Sequence, residues 1–185
     1  MKIIPTRLRE VLLIEPVVFG DRRGYFLETY QRQRYAAAGI DVAFVQDNIS
    51  FSQGNILRGL HFQHPQGQAK LVQVLQGEIY DVAVDVRRGS PTFGQWVGVT
   101  LSSAKPRQLY IPKGFAHGFC VLSEAALFMY KCTEYYAPNS ERGICWNDPD
   151  LAIDWPVKAP ILSERDNTFA RLKDLPPERL PAYEV

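Results

Sequence analysis

The 185-residue chain carries 21 basic and 20 acidic side chains, and 46% of its residues are apolar against 22% charged. A formal charge of +1 removes the electrostatic case for nucleic acid or an anionic membrane, so neither is expected as a partner, and an anionic ligand would need a few placed cations. The length suits one domain, expected over 1–185, large enough to bury most of the surface its unfolded chain exposes.

In chain order, Ile3 and Ile4 are the only apolar residues between Lys2 and Pro5, too few for the core of an export signal. A short peripheral helix is expected at Gln31 to Ala38, with Thr29 as a possible N-cap and Gly39 as its stop. Leu71 to Leu75, Glu78 to Val86, Phe93 to Leu101, Gln108 to Ile111, Phe119 to Leu122 and Ala126 to Tyr136 are rich in β-branched and aromatic residues. Gln76-Gly77, Arg88-Gly89-Ser90-Pro91 and Pro112-Lys113-Gly114 punctuate them, which predicts an all-β antiparallel sandwich or barrel with short peripheral helices. The most apolar region, Ile111 to Tyr130, is interrupted by Lys113, His117 and Glu124 and supplies no bilayer-spanning run. From Asp148 onward the prolines predict an irregular tail with short helical turns wrapped over the barrel. Cys120, Cys132 and Cys145 lack metal-finger spacing and read as free thiols in a reducing compartment, so a cytoplasmic location is expected.

The histidines are His61, His64 and His117. A strand histidine is more often a packing residue than a catalyst, and His64 is assigned that role. His61 and His64 are three apart and would face opposite sides of a strand, which disfavours a metal centre. Proton transfer is the other reading, with His61 removing a carbon-bound proton. Tyr130 and Tyr136 share a face on alternation along Phe128, Tyr130, Cys132, Glu134 and Tyr136, yet nine tyrosines in a β protein are mostly packing, so periodicity alone does not select Tyr130. Arg58 and His61 would point to opposite faces of an ideal strand. Gly59 between them predicts a bulge that turns both side chains inward.

Gln46-Asp47-Asn48, Arg58-Gly59-Leu60-His61, Pro112 to Phe119 and Trp146-Asn147-Asp148-Pro149 together resemble the dTDP-4-dehydrorhamnose 3,5-epimerase family. The likeness runs from Arg23-Gly24-Tyr25-Phe26-Leu27-Glu28 to Leu162-Ser163-Glu164-Arg165-Asp166 and includes Ser90 to Trp96. It implies a cupin-type jelly roll and a homodimer that exchanges N-terminal strands. It also implies no metal or organic cofactor, a dTDP-4-keto-6-deoxy sugar as substrate, and a step in dTDP-L-rhamnose synthesis. By position, His61 resembles the base, Asp166 its carboxylate partner, Tyr130 the acid and Lys70 the cation beside the keto oxygen. Arg23, Glu28, Gln46, Asn48, Arg58, His117 and Glu141 match positions that hold nucleotide or sugar, with Arg23 and Glu28 expected from the second subunit. Phe26 and Tyr136 resemble aromatics that stack on thymine, and Arg165 stands where the family often has lysine.

The chemistry suits these residue types. Carbons 3 and 5 of a 4-keto hexose both flank the carbonyl, so one base and one oxyanion stabiliser serve both. A neutral imidazole oriented by a carboxylate can take the proton, and a phenol on the opposite face can return one while neutral beforehand. A single-position epimerase or ketoisomerase acting on a related dTDP-4-keto sugar is the alternative enzyme, and a sugar-binding barrel without catalysis the non-enzymatic one.

Overall fold

The apolar runs become strands of two antiparallel sheets packed face to face, a jelly-roll arrangement, in a computed structural model that describes residues 1–184. Residue 185, the last of the expected 1–185 domain, lies outside the described residues. The strands are β1 (Lys2–Pro5), β2 (Leu12–Glu15), β3 (Val18–Asp21), β4 (Gly24–Leu27), β5 (Gln46–Gln53), β6 (Leu57–Gln63), β7 (Lys70–Gln76), β8 (Glu78–Asp85), β9 (Trp96–Ser102), β10 (Gln108–Ile111), β11 (Phe115–Val121), β12 (Ala125–Cys132) and β13 (Glu141–Gly143). One sheet runs β1-β2-β10-β7-β12-β5 and the other β13-β6-β11-β8-β9, while β3 and β4 form a separate hairpin.

Each sheet is covered on its inner face and over much of its outer face, which explains why several strands read as continuous apolar runs. Val72, Val74, Leu109, Phe119 and Phe128 fill the space between the sheets. The outer face of the five-stranded sheet packs Leu60, Phe62, Val82 and Val84 against Leu151, Leu172 and Leu180 of the tail. Ile14, Leu71 and Tyr110 on the other outer face meet Tyr35 of α1 (Arg32–Ala37) and Ile40. The tail carries short 3-10 turns at Asp166–Thr168, Leu172–Asp174 and Pro177–Arg179, as its prolines suggested.

Several boundaries differ from the sequence reading for identifiable reasons. The N-cap of α1 is Gln31, whose side chain accepts from the Arg34 amide, rather than Thr29, whose carbonyl accepts from the Tyr35 hydroxyl. Phe93 and Gly94 belong to the turn before β9, where Ser90 and Thr92 donate to the buried Asp85 carboxylate. β11 begins four residues before the predicted Phe119, and β12 ends at Cys132 rather than Tyr136. β5 escaped notice because its inward residues are Gln46, Asn48, Ser50 and Ser52 rather than apolar side chains. Cys120 and Cys132 are buried free thiols, whereas Cys145 is half-buried and donates to Asn147.

The predicted bulge at Gly59 is present. His117 pairs with His61 and Phe119 with Arg58, so β11 advances two residues while β6 advances three. Because His117 and Phe119 share a face, Arg58 and His61 share one too. Gly59 adopts φ +116°, and a Cβ there would stand 2.6 Å from Gly118 Cα and 2.7 Å from the His117 carbonyl oxygen. Gly59→Ala is therefore expected to cost about 2 kcal/mol or more, read from urea unfolding, and to lower activity by re-aiming both neighbours. Unchanged stability in that variant would refute the steric account of the bulge.

Candidate active site

At one end of the barrel the inward positions change from apolar to polar. Along β12 they run Ala126, Phe128, Tyr130, Cys132, and along β7 they run Val74, Val72, Lys70. The result is a cavity of about 400 Å³, lined by His61 and Arg58 of β6, Lys70 of β7, Tyr130 of β12, and Gln46 and Asn48 of β5. Tyr136, Glu141 and Arg165 form its rim. That volume lies within the usual range of small-molecule sites.

Asp166, brought in by the first 3-10 turn of the tail, is 4% exposed and accepts from His61 Nε2 at 2.8 Å. Its other oxygen accepts the Gly59 amide at 3.1 Å, so the bulge that aims His61 also anchors its carboxylate. Burial pushes the Asp166 carboxyl up, but the hydrogen bond and charge of His61, joined by Gly59 and Ser163, outweigh it and hold the group below the ordinary carboxylate value. With Nε2 given to the carboxylate, Nδ1 is the nitrogen left to accept a proton. Phe169 packs its edge against the imidazole, with ring centroids 5.7 Å apart.

The hydroxyl of Tyr130 has no hydrogen-bond partner among the described residues, and burial pushes its phenol up, keeping the proton on the oxygen near neutral pH. Lys70 likewise has no ion-pair partner among the described residues. Burial pushes its ammonium down, opposed by Cys132, Asp81 and Glu141. Arg58 lines the cavity while its Nε donates to Ser52 Oγ at 2.9 Å and its Nη2 to the Phe51 carbonyl at 3.5 Å. At the rim Glu141 accepts from Arg165 Nη1 at 2.6 Å and Nη2 at 3.1 Å and from the Tyr136 hydroxyl at 2.7 Å. Burial raises the Glu141 carboxyl, and these bonds more than reverse it.

Three expected residues stand elsewhere. Arg23 is bonded to Asp21 on the exposed β3–β4 hairpin, Phe26 is 68% exposed on β4, and Glu28 pairs with Arg34. None of the three lines the His61 cavity. His117 sits directly across from His61 on the same inner face but does not line the cavity; it is buried against Phe119 and Phe128 with Nε2 2.9 Å from Asp81, and burial pushes its imidazole down. His64 follows the end of β6 and does not line the cavity either. Gln63 and Gln68 do line it and were not read from the sequence. The spacing of two from His61 was the signal that would have found Gln63.

The depressed Asp166 carboxyl makes a pH prediction. Its contribution to stability is complete above the unfolded value of about 4 and is lost as pH falls through the lower folded value. Urea unfolding from pH 6 to pH 3 should show wild type losing stability toward acid faster than Asp166→Asn, so that the gap between them narrows. Parallel acid limbs would contradict the anchored dyad.

A family profile described as dTDP-4-dehydrorhamnose 3,5-epimerase matches residues 5–174. A protein of that name from Pseudomonas aeruginosa is 57% identical over 168 residues, covering 90% of this chain and 93% of that protein. A crystal structure of dTDP-6-deoxy-D-glucose-3,5-epimerase from Legionella pneumophila, in complex with dTDP-4-keto-L-rhamnose, is 55% identical, covers 100% of this chain and 99% of the other, and superposes with a TM-score of 0.97. The Bacillus anthracis dTDP-4-dehydrorhamnose 3,5-epimerase with TDP and PPi bound is 50% identical with a TM-score of 0.89, covering 92% of this chain and 98% of that one. With a profile match over most of its length and relatives this similar, the chain belongs to the dTDP-4-dehydrorhamnose 3,5-epimerase family.

Proposed function

We propose that this chain is an isomerase that inverts carbons 3 and 5 of dTDP-4-dehydro-6-deoxy-D-glucose to give dTDP-4-dehydro-L-rhamnose, in dTDP-L-rhamnose biosynthesis. The names of its relatives and the dTDP-4-keto-L-rhamnose held by the Legionella enzyme support the reaction and the substrate class. The observation that carries the assignment of residues is that His61, Tyr130 and Lys70 line one cavity, with Asp166 tied to His61.

His61 Nδ1 is the base in this reading. It takes the proton from carbon 3 or 5, and Asp166 stabilises the imidazolium that forms. The electron pair moves onto the keto oxygen, where the Lys70 ammonium meets the developing charge, a contribution of roughly 3 to 4 kcal/mol for a preorganised donor. Tyr130 returns a proton to the opposite face and so inverts the carbon. Because the charge rests on one oxygen throughout, the sequence of steps calls for no metal or organic cofactor. Arg58 suits the diphosphate through paired donors, and Gln46, Asn48, Glu141 and Arg165 suit sugar and nucleotide polar groups.

In deuterated water, wild type should place label at both carbons. His61→Ala should place it at neither, whereas Tyr130→Phe should still exchange protons while inverting poorly. Equal loss of exchange in the two variants, followed by proton NMR, would defeat the separate roles.

The same reading makes the protein a cytoplasmic, single-domain homodimer in which Arg23, Phe26 and Glu28 complete the partner's site. Their separation from the His61 cavity supports this, as do the exposed apolar side chains of Val18, Phe19, Tyr25 and Phe26 on the hairpin and of Ile49 and Phe51 on the edge strand β5. Free thiols fit a reducing compartment. Co-refolding His61→Ala with Arg23→Ala should restore activity above either alone, because each mixed dimer then holds one intact site. No recovery in a mixture shown to contain mixed dimers would place Arg23 outside the partner's site.

A further inference from the structure

Tyr136 lies four residues beyond the end of β12, so the pleat that aims Tyr130 does not aim it. Its backbone is held instead by two glutamines. The peptide joining Tyr135 to Tyr136 gives its N–H to Gln46 Oε1 at 2.8 Å and takes a hydrogen bond from Gln63 Nε2 at 3.2 Å on its carbonyl. The next amide, that of Ala137, donates to Gln63 Oε1 at 2.9 Å. Gln46 belongs to β5 at the edge of the six-stranded sheet and Gln63 to β6 in the five-stranded sheet, so one peptide unit is slung between the two sheets at the cavity mouth.

Gln63 is 5% exposed and uses both ends of its amide, since Nε2 also donates to the Gln66 carbonyl at 2.8 Å. It is the only side chain among the described residues that binds the backbone on both sides of Tyr136. Without it, Tyr136 keeps the Gln46 contact to its own N–H while the flanking carbonyl and amide lose their partners. The ring would then be held only by that amide contact and by its hydroxyl's bond to Glu141 at 2.7 Å, so part of its ordering would fall to the ligand, an entropic cost charged to binding rather than to chemistry.

We propose that Gln63 is a positioning residue that fixes Tyr136 as a wall of the substrate site, acting through the Tyr135–Ala137 backbone. The proposal rests on the reading of Tyr136 as an aromatic that contacts the nucleotide. Every hydrogen bond of Gln63 goes to backbone and none to His61 or Tyr130, so its loss weakens binding and spares the steps carried by those two.

The test compares Gln63→Met, which keeps the length and loses every hydrogen bond, with Tyr136→Ala and the double variant. The readouts are KM and kcat for the dTDP-4-keto sugar and the dissociation constant of dTDP. Gln63→Met is expected to raise KM and the dTDP constant about tenfold, with kcat changed by no more than about twofold. On the Tyr136→Ala background the same change should add nothing, because the ring it positions is gone. Gln63→Glu keeps the acceptor for Ala137 but sets an anion against two carbonyls. Measured against wild type at each pH, its KM should recover as the acid is protonated and can donate again. If Tyr136→Ala raises KM and Gln63→Met does not, or if the two effects simply add, the positioning role is overturned. If Tyr136→Ala leaves KM and dTDP binding unchanged, the nucleotide reading of Tyr136 falls and takes the proposal with it.

Discussion

The site depends on one extra residue in β6. Strand alternation sends side chains three apart to opposite faces, and a single inserted residue reverses that for everything beyond it. Gly59 supplies the insertion, so Arg58 and His61 both face the cavity, and its amide holds the carboxylate that orients His61. The partner strand accommodates it only by being bare at the same level, since a Cβ on Gly118 would stand 2.7 Å from the Arg58 carbonyl oxygen. Two glycines facing each other across a strand pair thus set the direction of two site side chains and the anchor of a third.

A polar cavity inside a barrel is costly, and the remainder of the fold offsets that cost. Asp166 is compensated by His61 and Gly59, and Asp81 by His117, while Lys70 has no ionic partner among the described residues. A half-buried ammonium left without an ion pair is a cost, in keeping with the role proposed for Lys70 beside the keto oxygen. Each large apolar side chain buried in the three core clusters contributes roughly 1.5 to 3 kcal/mol in the opposite sense. Covering the outer faces over much of their width, as well as the space between the sheets, is what makes so large an apolar contribution available.

The rim shows what an arginine at position 165 does. Its planar fork engages both oxygens of Glu141, an arrangement a lysine ammonium does not reproduce, and the same carboxylate receives the Tyr136 hydroxyl. The neighbourhood of His61 and Asp166 and the Tyr136 ring are therefore tied through one acidic side chain.

Much of this was legible in the residues. The apolar runs around Gly77, Gly89 and Gly114 marked the strands, Gly59 between Arg58 and His61 marked the bulge, and the prolines after Asp148 marked a tail without long helices. The motif blocks pointed to the family and to His61, Tyr130, Lys70 and Asp166. β5 was illegible because its inward face is polar, and Tyr136 reaches the cavity although the alternation that suggested it ends at Cys132. By itself the sequence determined which residues alternate, where the chain turns and which side chains could exchange protons, because these follow from local backbone geometry and side-chain chemistry. Only the tertiary structure decided that Asp166 reaches His61 across 105 residues, that His117 is buried against Asp81 and Phe128 rather than lining the cavity, and that Gln46 and Gln63 hold one peptide between two sheets. Those contacts exist because the tail and the two sheets pack on one another, and the burial that drives such packing depends on no short stretch of chain.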